Sequence, residues 1–454
     1  MSTAADAISR PDSRLPKASA KIALTLLVLI NLFNYIDRQI LSAVESNMEE
    51  TFFPEADYPR DPETKLRLDK TIEGQMGSLN SAFMFSYILI APLFGLLADR
   101  VPRWLLVGIG VVFWSLATGA TGLAETFVVL FLTRCLVGVG EAAYGPVAPT
   151  VIADLFPVSK RGSVMALFYA AIPVGSALGY VLGGVVTHLA GGDWRWAFYV
   201  VVPPGLLLGL WCFLMRDPPR GLAEASAVVR KPSLADYRLI LKTPSYLFTT
   251  LGMTAMTFAL GGMAFWMPRY GVQRQLVADM TSEEISTLRI QVNLVFGLIV
   301  VVSGLGGTVV GGIVADRLKA RIPGAYFLVS AIAIAVAFPF VLCTLVTPFP
   351  AAWIFVFLAC FCLFFNTGPT NTILANVTHP STRASAFAMN ILIIHLLGDA
   401  ISPTIIGIIN GYSGNMNIGF LAVSGTCLVA SFFWILGIKH LERDTELAPT
   451  RTPP

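Results

Sequence analysis

One short phrase occurs twice in this chain, and that repeat limits the possible folds more than any other feature. Gly95-Leu96-Leu97-Ala98-Asp99-Arg100 returns as Gly312-Ile313-Val314-Ala315-Asp316-Arg317, almost half of the 454 residues further on. Each copy closes a long apolar run and is followed by more basic residues: Arg103 after the first, Lys319 and Arg321 after the second. A second echo keeps a similar register. Gly145-Pro146, Pro149-Thr150, Ala153, Pro157 and Arg161 return as Gly368-Pro369, Thr370, Ala375, Pro380 and Arg383. The chain therefore reads as a duplicated unit. Hydrophobic residues make up 55% of it and charged residues 13%, whereas a soluble domain carries about 25% charge. Most of its surface is thus expected to face lipid or other apolar helices.

A spanning helix needs about 20 mostly apolar residues. Charge-poor runs place such helices near 22–46, 74–98, 104–124, 126–153, 162–190 and 194–215, and again near 244–268, 290–315, 323–346, 350–376, 384–411 and 416–438. Ile322 to Thr382 holds no Asp, Glu, Lys or Arg and is too long for one span, so Thr347-Pro348-Phe349-Pro350 is the natural turn within it. The expected fold is an all-α membrane protein of twelve transmembrane helices in two pseudo-symmetric six-helix bundles. The divisions are a cytoplasmic N-tail (1–20), an N-terminal bundle (21–215), a cytoplasmic linker (216–243), a C-terminal bundle (244–440) and a cytoplasmic C-tail (441–454). The basic N-tail leads straight into a long apolar helix with no small-residue cleavage site, which reads as a first span and not a removable signal. With the N-terminus inside, 21 of the 31 Lys and Arg fall on the inner side, so both termini are expected to be cytoplasmic. The six cysteines all lie in apolar runs without metal-ligand spacing, and they read as small packing residues.

These features resemble the major facilitator superfamily over almost the whole chain. The family's loop signature is matched by Gly95, Asp99, Arg100 and Arg103, and its second copy by Gly312, Asp316 and Arg317. Longer stretches resemble the spinster-type branch: Asn34-Tyr35-Ile36-Asp37-Arg38, Arg134-Cys135-Leu136-Val137-Gly138-Val139-Gly140-Glu141-Ala142, and Ala148-Pro149-Thr150-Val151-Ile152-Ala153-Asp154-Leu155-Phe156. So do Ala171-Ile172-Pro173-Val174-Gly175-Ser176 with Gly179-Tyr180, and Arg216-Asp217-Pro218-Pro219-Arg220-Gly221. The resemblance implies alternating access between two rocking bundles around a midplane site. It also implies lysophospholipid or sphingoid-phosphate substrates, often with proton coupling. The two Asp-Arg loops are expected to act as latches that hold the cytoplasmic side shut.

Charges inside the membrane carry the chemistry. Each costs at least about 2.5–3.5 kcal/mol near the bilayer centre, so such residues normally face a cavity and pair with one another. At 100° per residue, Asn31, Tyr35, Arg38, Ser42 and Glu45 form one polar stripe on the first helix, while Asp37 points away from it. Arg134 and Glu141 share a face of the fourth helix. Matching their depths pairs Asp37 with Arg134 and leaves Glu141 to the central cavity, with Arg38 nearby. Asp37, Glu141 and Arg134 are therefore the expected proton-coupling set. Arg38, Asn31, Tyr35, Ser42 and Tyr144 are expected to bind substrate, joined by His395 and Asp399, an i, i+4 pair in an apolar run. A carboxylate in a low-dielectric cavity favours its neutral form, and a guanidinium beside it favours the ionised one, so opening the cavity to either side shifts that balance. Arginine's forked donors suit an anionic headgroup.

The expected function is secondary active transport of an amphipathic anion, coupled to protons, in a bacterial inner membrane. The alternative is proton-coupled movement of a small organic acid, sugar or drug-like solute. No phosphate-cradling loop, zinc motif or nucleophile elbow is present, so an enzyme is not expected. Neither a cofactor nor a metal nor a nucleic-acid partner is implied, and a monomer in the bilayer is expected.

Overall fold

A computed structural model describes residues 17–54, 61–98, 100–156, 158–218, 234–379 and 382–448. In chain order the first half holds α1 (Lys17–Ala43), α2 (Glu45–Phe52), α3 (Pro62–Ala98), α4 (Arg103–Gly122), α5 (Phe127–Glu141), α6 (Ala148–Leu155), α7 (Val158–Leu189) and α8 (Arg195–Phe213). A short α9 (Leu234–Leu241) lies in the expected linker. The second half holds α10 (Pro244–Gln273), α11 (Ser282–Lys319), α12 (Ala325–Val346), α13 (Ala352–Phe365), α14 (Thr367–Val377), α15 (Arg383–Ile394), α16 (Ser402–Ser413), α17 (Met416–Gly437) and α18 (Leu441–Leu447).

Eleven stretches of described helix are long and apolar enough to cross a membrane. The twelfth crossing, expected near 126–153, is interrupted: α5 stops at Glu141 and six residues of turn lead into α6. Pro146 lacks an N–H for the helix ladder and Pro149 enters α6 in its first turn, so a single continuous helix is blocked there. The same Gly-Pro echo breaks the corresponding crossing of the second half, between α13 and α14 at Asn366. The charge-free stretch divides where expected: α12 ends at Val346 and α13 begins at Ala352.

The stretch 47–73, between the first two expected crossings, is largely helical among its described residues. Its second part is the polar beginning of α3, capped by Asp61, whose Oδ2 accepts from the backbone N–H (2.9 Å) and hydroxyl (2.8 Å) of Thr64. Those two bonds hold the exposed Asp61 carboxyl below the usual carboxylate range. The C-terminal segment is docked, since buried Asp444 of α18 accepts the Ser245 backbone N–H at 2.8 Å.

Glycine makes the tightest helix contact possible. α7 lies against α1 through Gly175, Gly179 and Gly183, where an added Cβ would stand 2.5 Å from the Leu32 carbonyl, 2.6 Å from the Ile36 carbonyl and 2.5 Å from Ala43 Cβ. Small residues at this spacing let backbones approach and slide.

The two halves meet chiefly through α3 against α16 and α7 against α11. Gly77 abuts the Pro403 carbonyl, Gly407 the Glu73 carbonyl and Gly297 the Ala177 carbonyl. Asn293 donates to the Ala43 carbonyl at 3.1 Å, and Tyr180 to the Ala264 carbonyl at 3.0 Å. All these contacts lie toward the face remote from the termini. At the termini's face, a Cβ on the signature glycines Gly95 or Gly312 would meet nothing within 4 Å, and Leu89, Leu93 and Leu97 of α3 are exposed. The contacts between the two halves join them at the face remote from the termini.

Candidate functional site

Arg38 and Glu141 form the centre of the N-terminal half. Arg38 Nε donates to Glu141 Oε2 at 2.9 Å, and Nη2 stands 2.8 Å from the same oxygen. The Glu141 side chain is fully buried, while Arg38 keeps 15% of its side chain accessible. Three rings surround the guanidinium: Phe83 at 4.8 Å, Tyr35 at 5.0 Å and Tyr87 at 5.6 Å from ring centre to Cζ. Such faces hold a cation in an apolar setting. Tyr35 and Tyr87 are partly exposed, so the arginine can be approached from one side.

Asp37 and Arg134 do not form the ion pair expected from their depths. Asp37 is buried and turns toward α4, where the Thr118 hydroxyl lies 3.5 Å from Oδ2; its Oδ1 has no hydrogen-bond partner. Arg134, equally buried, lies with its Cζ 5.6 Å from Phe83, the ring it shares with Arg38, and its Nε and Nη1 lack partners. The two charges still act on each other across the intervening space. Depth had placed them at one level; the rotation of each helix about its own axis sends them to different neighbours.

The remaining expected contacts divide by exposure. Asn31 donates to the Phe168 carbonyl at 2.9 Å and Tyr144 to the Leu27 carbonyl at 2.7 Å; both side chains are buried and tie helices together. Ser42 is buried as well. His395 and Asp399 do come together: His395 Nδ1 is 3.0 Å from both carboxylate oxygens. They span a π-helical turn, His395–Asp399, between α15 and α16, and π turns of this kind often mark functional positions. Asn80 of α3 donates to the Asp399 carbonyl at 3.2 Å, and Asp399 acts electrostatically on Tyr35 across the midplane.

The signature loops behave unequally. Asp99 lies outside the described residues, and Arg100 is exposed. Arg103 is the buried member. Its Nη1 lies 2.5 Å from Asp154 Oδ2, its Nε 3.4 Å from Asp217 Oδ1, its Nη2 donates to the Pro218 carbonyl at 2.8 Å, and its backbone N–H to Asp217 Oδ2 at 3.0 Å. This clasp joins the start of α4 to the end of α6 and the segment after α8. In the second copy, Asp316 accepts from the Tyr326 hydroxyl at 2.8 Å, with Lys319 over the same ring, while Arg317 is exposed. Arg103→Gln is expected to lower stability by about 2–3 kcal/mol, the scale of charged hydrogen bonds. That is short of the 3–5 kcal/mol typical of a fully buried pair, because Asp154 and Asp217 keep some water. The check is the melting temperature of the solubilised protein, which should fall by several degrees.

One cluster escaped the sequence reading. Arg269 on α10 binds three carboxylates of the other half: Glu45 at 3.1 Å, Glu73 at 3.0 Å, and both oxygens of Glu49. Arg289 on α11 binds Glu50 beside it. The signal was available in Glu45 at the end of the α1 stripe with Glu49 one turn on, but the cation that meets them, Arg269, lies more than 200 residues further along the chain.

Sequence and structure comparisons identify the family and the fold. The profile of the Major Facilitator Superfamily matches residues 27–403. The chain is 34% identical to protein spinster homolog 3 of Danio rerio over 433 residues, covering 92% of this chain and 83% of the relative. It is 36% identical to protein spinster homolog 1 of Homo sapiens over 409 residues, covering 87% and 74%. The fold is similar to that of a bacterial homolog of the human lysosomal transporter Spinster in an inward-facing, unoccupied conformation, with TM-score 0.78, 20% identity and 95% and 99% of the two chains covered. It is also similar to a D-xylose–proton symporter, with TM-score 0.71, 15% identity and 92% and 97% covered. A membrane transporter fold with these relatives has one place in the classification: the chain belongs to the major facilitator superfamily and, within it, to the spinster proteins.

Proposed function

We propose that this membrane transporter carries an amphipathic anion, such as a lysophospholipid or sphingoid phosphate, by proton-coupled alternating access. The observation that carries the reading is the Arg38–Glu141 pair, a partly accessible guanidinium held by a fully buried carboxylate. Three aromatic faces give the arginine an apolar surround, and its remaining donors can take a phosphate oxygen. When a headgroup draws Arg38 away, Glu141 is left buried without its cation, and proton uptake relieves that cost. The exchange couples substrate to proton at one residue pair. Asp37 and Arg134 form a second, unpaired reserve of charge beside it. Gly95, Asp99, Arg100, Gly312, Asp316 and Arg317 take the gating role at the termini's face, with Arg103 bracing the first loop. In this reading both termini are cytoplasmic, the protein sits in a bacterial inner membrane, and the conformation described opens inward.

Uptake into proteoliposomes tests the reading, with a panel of lysolipids and small organic acids offered with and without a pH gradient. Phosphate-bearing lysolipids should accumulate, and an imposed pH gradient should raise their uptake severalfold. Uptake confined to small polar solutes would reject the lipid assignment, and indifference to the gradient would reject the coupling.

A further inference from the structure

The closed outer mouth brings three carboxylates onto one guanidinium. Arg269 comes from the C-terminal half; Glu45, Glu49 and Glu73 come from α2 and α3 of the N-terminal half. With every group ionised the cluster would hold two uncompensated negative charges, a costly state away from water. The three acids are not equivalent. Glu49 and Glu73 keep 18% and 15% of their side chains accessible and border a cavity of about 220 Å³ shared with Arg269, Gln273, Asn410 and Asn415. Glu45 is 1% exposed, and its Oε2 is buried with no hydrogen-bond partner. It sits where α1 breaks into α2, beyond the end of the span.

We infer that Glu45 is a protonation site of the outer mouth: it takes up a proton as the two halves close over it and releases that proton as they part.

The surrounding groups leave Glu45 as the one to be neutral. Arg269 is shared among three acids, and Glu50 is engaged by Arg289 on α11. On the other neighbouring elements, His188 of α7 is bonded to Ser286 at 3.0 Å, and Arg195 faces Asp193 at 3.7 Å. In the closed state burial pushes the Glu45 carboxyl up to about 8, against the opposing pull of Arg269. In an open, hydrated mouth it returns toward the ordinary value of about 4.3. The closed state therefore binds more protons than the open one across that interval. Lowering the pH favours closure by at most tenfold per unit, and the advantage is lost as pH rises through the upper value. This site lies apart from the Arg38–Glu141 pair, so its test is separable from that of the proposed transport cycle.

Spin labels at Glu125→Cys and Val277→Cys, exposed positions on opposite halves of this mouth, would report its opening. The background has its six native cysteines replaced, and the protein is full-length in lipid nanodiscs between pH 5 and pH 9. The wild-type background should show a short-distance population at low pH that gives way to longer distances as pH rises. Glu45→Gln, a neutral isostere, should hold the short population at every pH. A distance distribution that ignores pH in the wild-type background overturns the inference without any variant. So does a Glu45→Gln protein that opens at the same pH as the wild type.

Discussion

Gradient-driven transport by Glu141→Gln is expected to fall to the leak of protein-free vesicles, with the protein still folded and inserted. The amide keeps the size of the side chain and one acceptor oxygen for Arg38, so the contact with Nε and Nη2 can survive as a neutral hydrogen bond. What disappears is the charge that changes with protonation. In the proposed cycle, the same carboxylate holds Arg38 when the site is empty and takes a proton when the arginine leaves. A glutamine can do the first weakly and the second not at all. Substrate binding should persist, because Arg38 and the faces of Tyr35, Phe83 and Tyr87 are unchanged. Exchange of substrate between the two sides, which needs no net proton movement, should therefore survive better than uphill uptake. The measurement is uptake with and without a pH gradient beside counterflow at uniform pH. Full gradient-driven accumulation by the variant would remove Glu141 from the coupling role.

Much of this fold was legible because the bilayer narrows what a sequence can do. The repeat of Gly95-to-Arg100 at Gly312-to-Arg317 gave the duplication, and charge-poor runs placed the crossings. The Gly-Pro echo marked the two helix breaks, at α5–α6 and α13–α14, without revealing that they were breaks. Helical periodicity put Arg38 and Tyr35 on one face, and they are together in the structure. Periodicity did not supply the rotation of one helix against the next. That phase decides whether Asp37 meets Arg134 or Thr118, and depth alone chose wrongly. Arg103 was read as part of a gate because its loop matched a gate signature. Its partners Asp154 and Asp217 belong to segments far along the chain, and they make it a brace between the first half and the start of the linker. Arg269 was harder still. Its carboxylates lie in the other half of the molecule, so the cluster exists only where the halves close on each other. Pairings made by a conformational state leave little trace in one sequence.

Asp37→Asn and Arg38→Lys should fail in different ways, although the residues are neighbours. Arg38→Lys keeps a positive charge near Glu141 but loses the planar fork, which alone can hold Glu141 through one edge and offer further N–H groups to a phosphate. It also loses the flat stacking surface between Tyr35, Phe83 and Tyr87. Loss of one charge-assisted contact of about 1.5–3 kcal/mol corresponds to roughly 10- to 150-fold weaker binding of a phosphate-bearing substrate. The pH dependence of whatever transport remains should stay near that of the wild type, since Glu141 still has a cation beside it. Asp37→Asn touches no substrate-facing group; Asp37 is buried against α4 and acts on Arg134 only through space. Removing its charge leaves Arg134, already without partners at Nε and Nη1, more isolated in an apolar interior. An uncompensated buried charge of that kind is costly, and the protein can lessen the cost by favouring whichever conformation hydrates Arg134. The expected result is near-normal affinity, an altered balance of conformations and a displaced pH profile. The decisive measurement is substrate affinity and the pH–rate profile for the two variants side by side, in one lipid composition. Equal loss of affinity in both, with neither profile moved, would end the division of labour between substrate-holding Arg38 and charge-balancing Asp37.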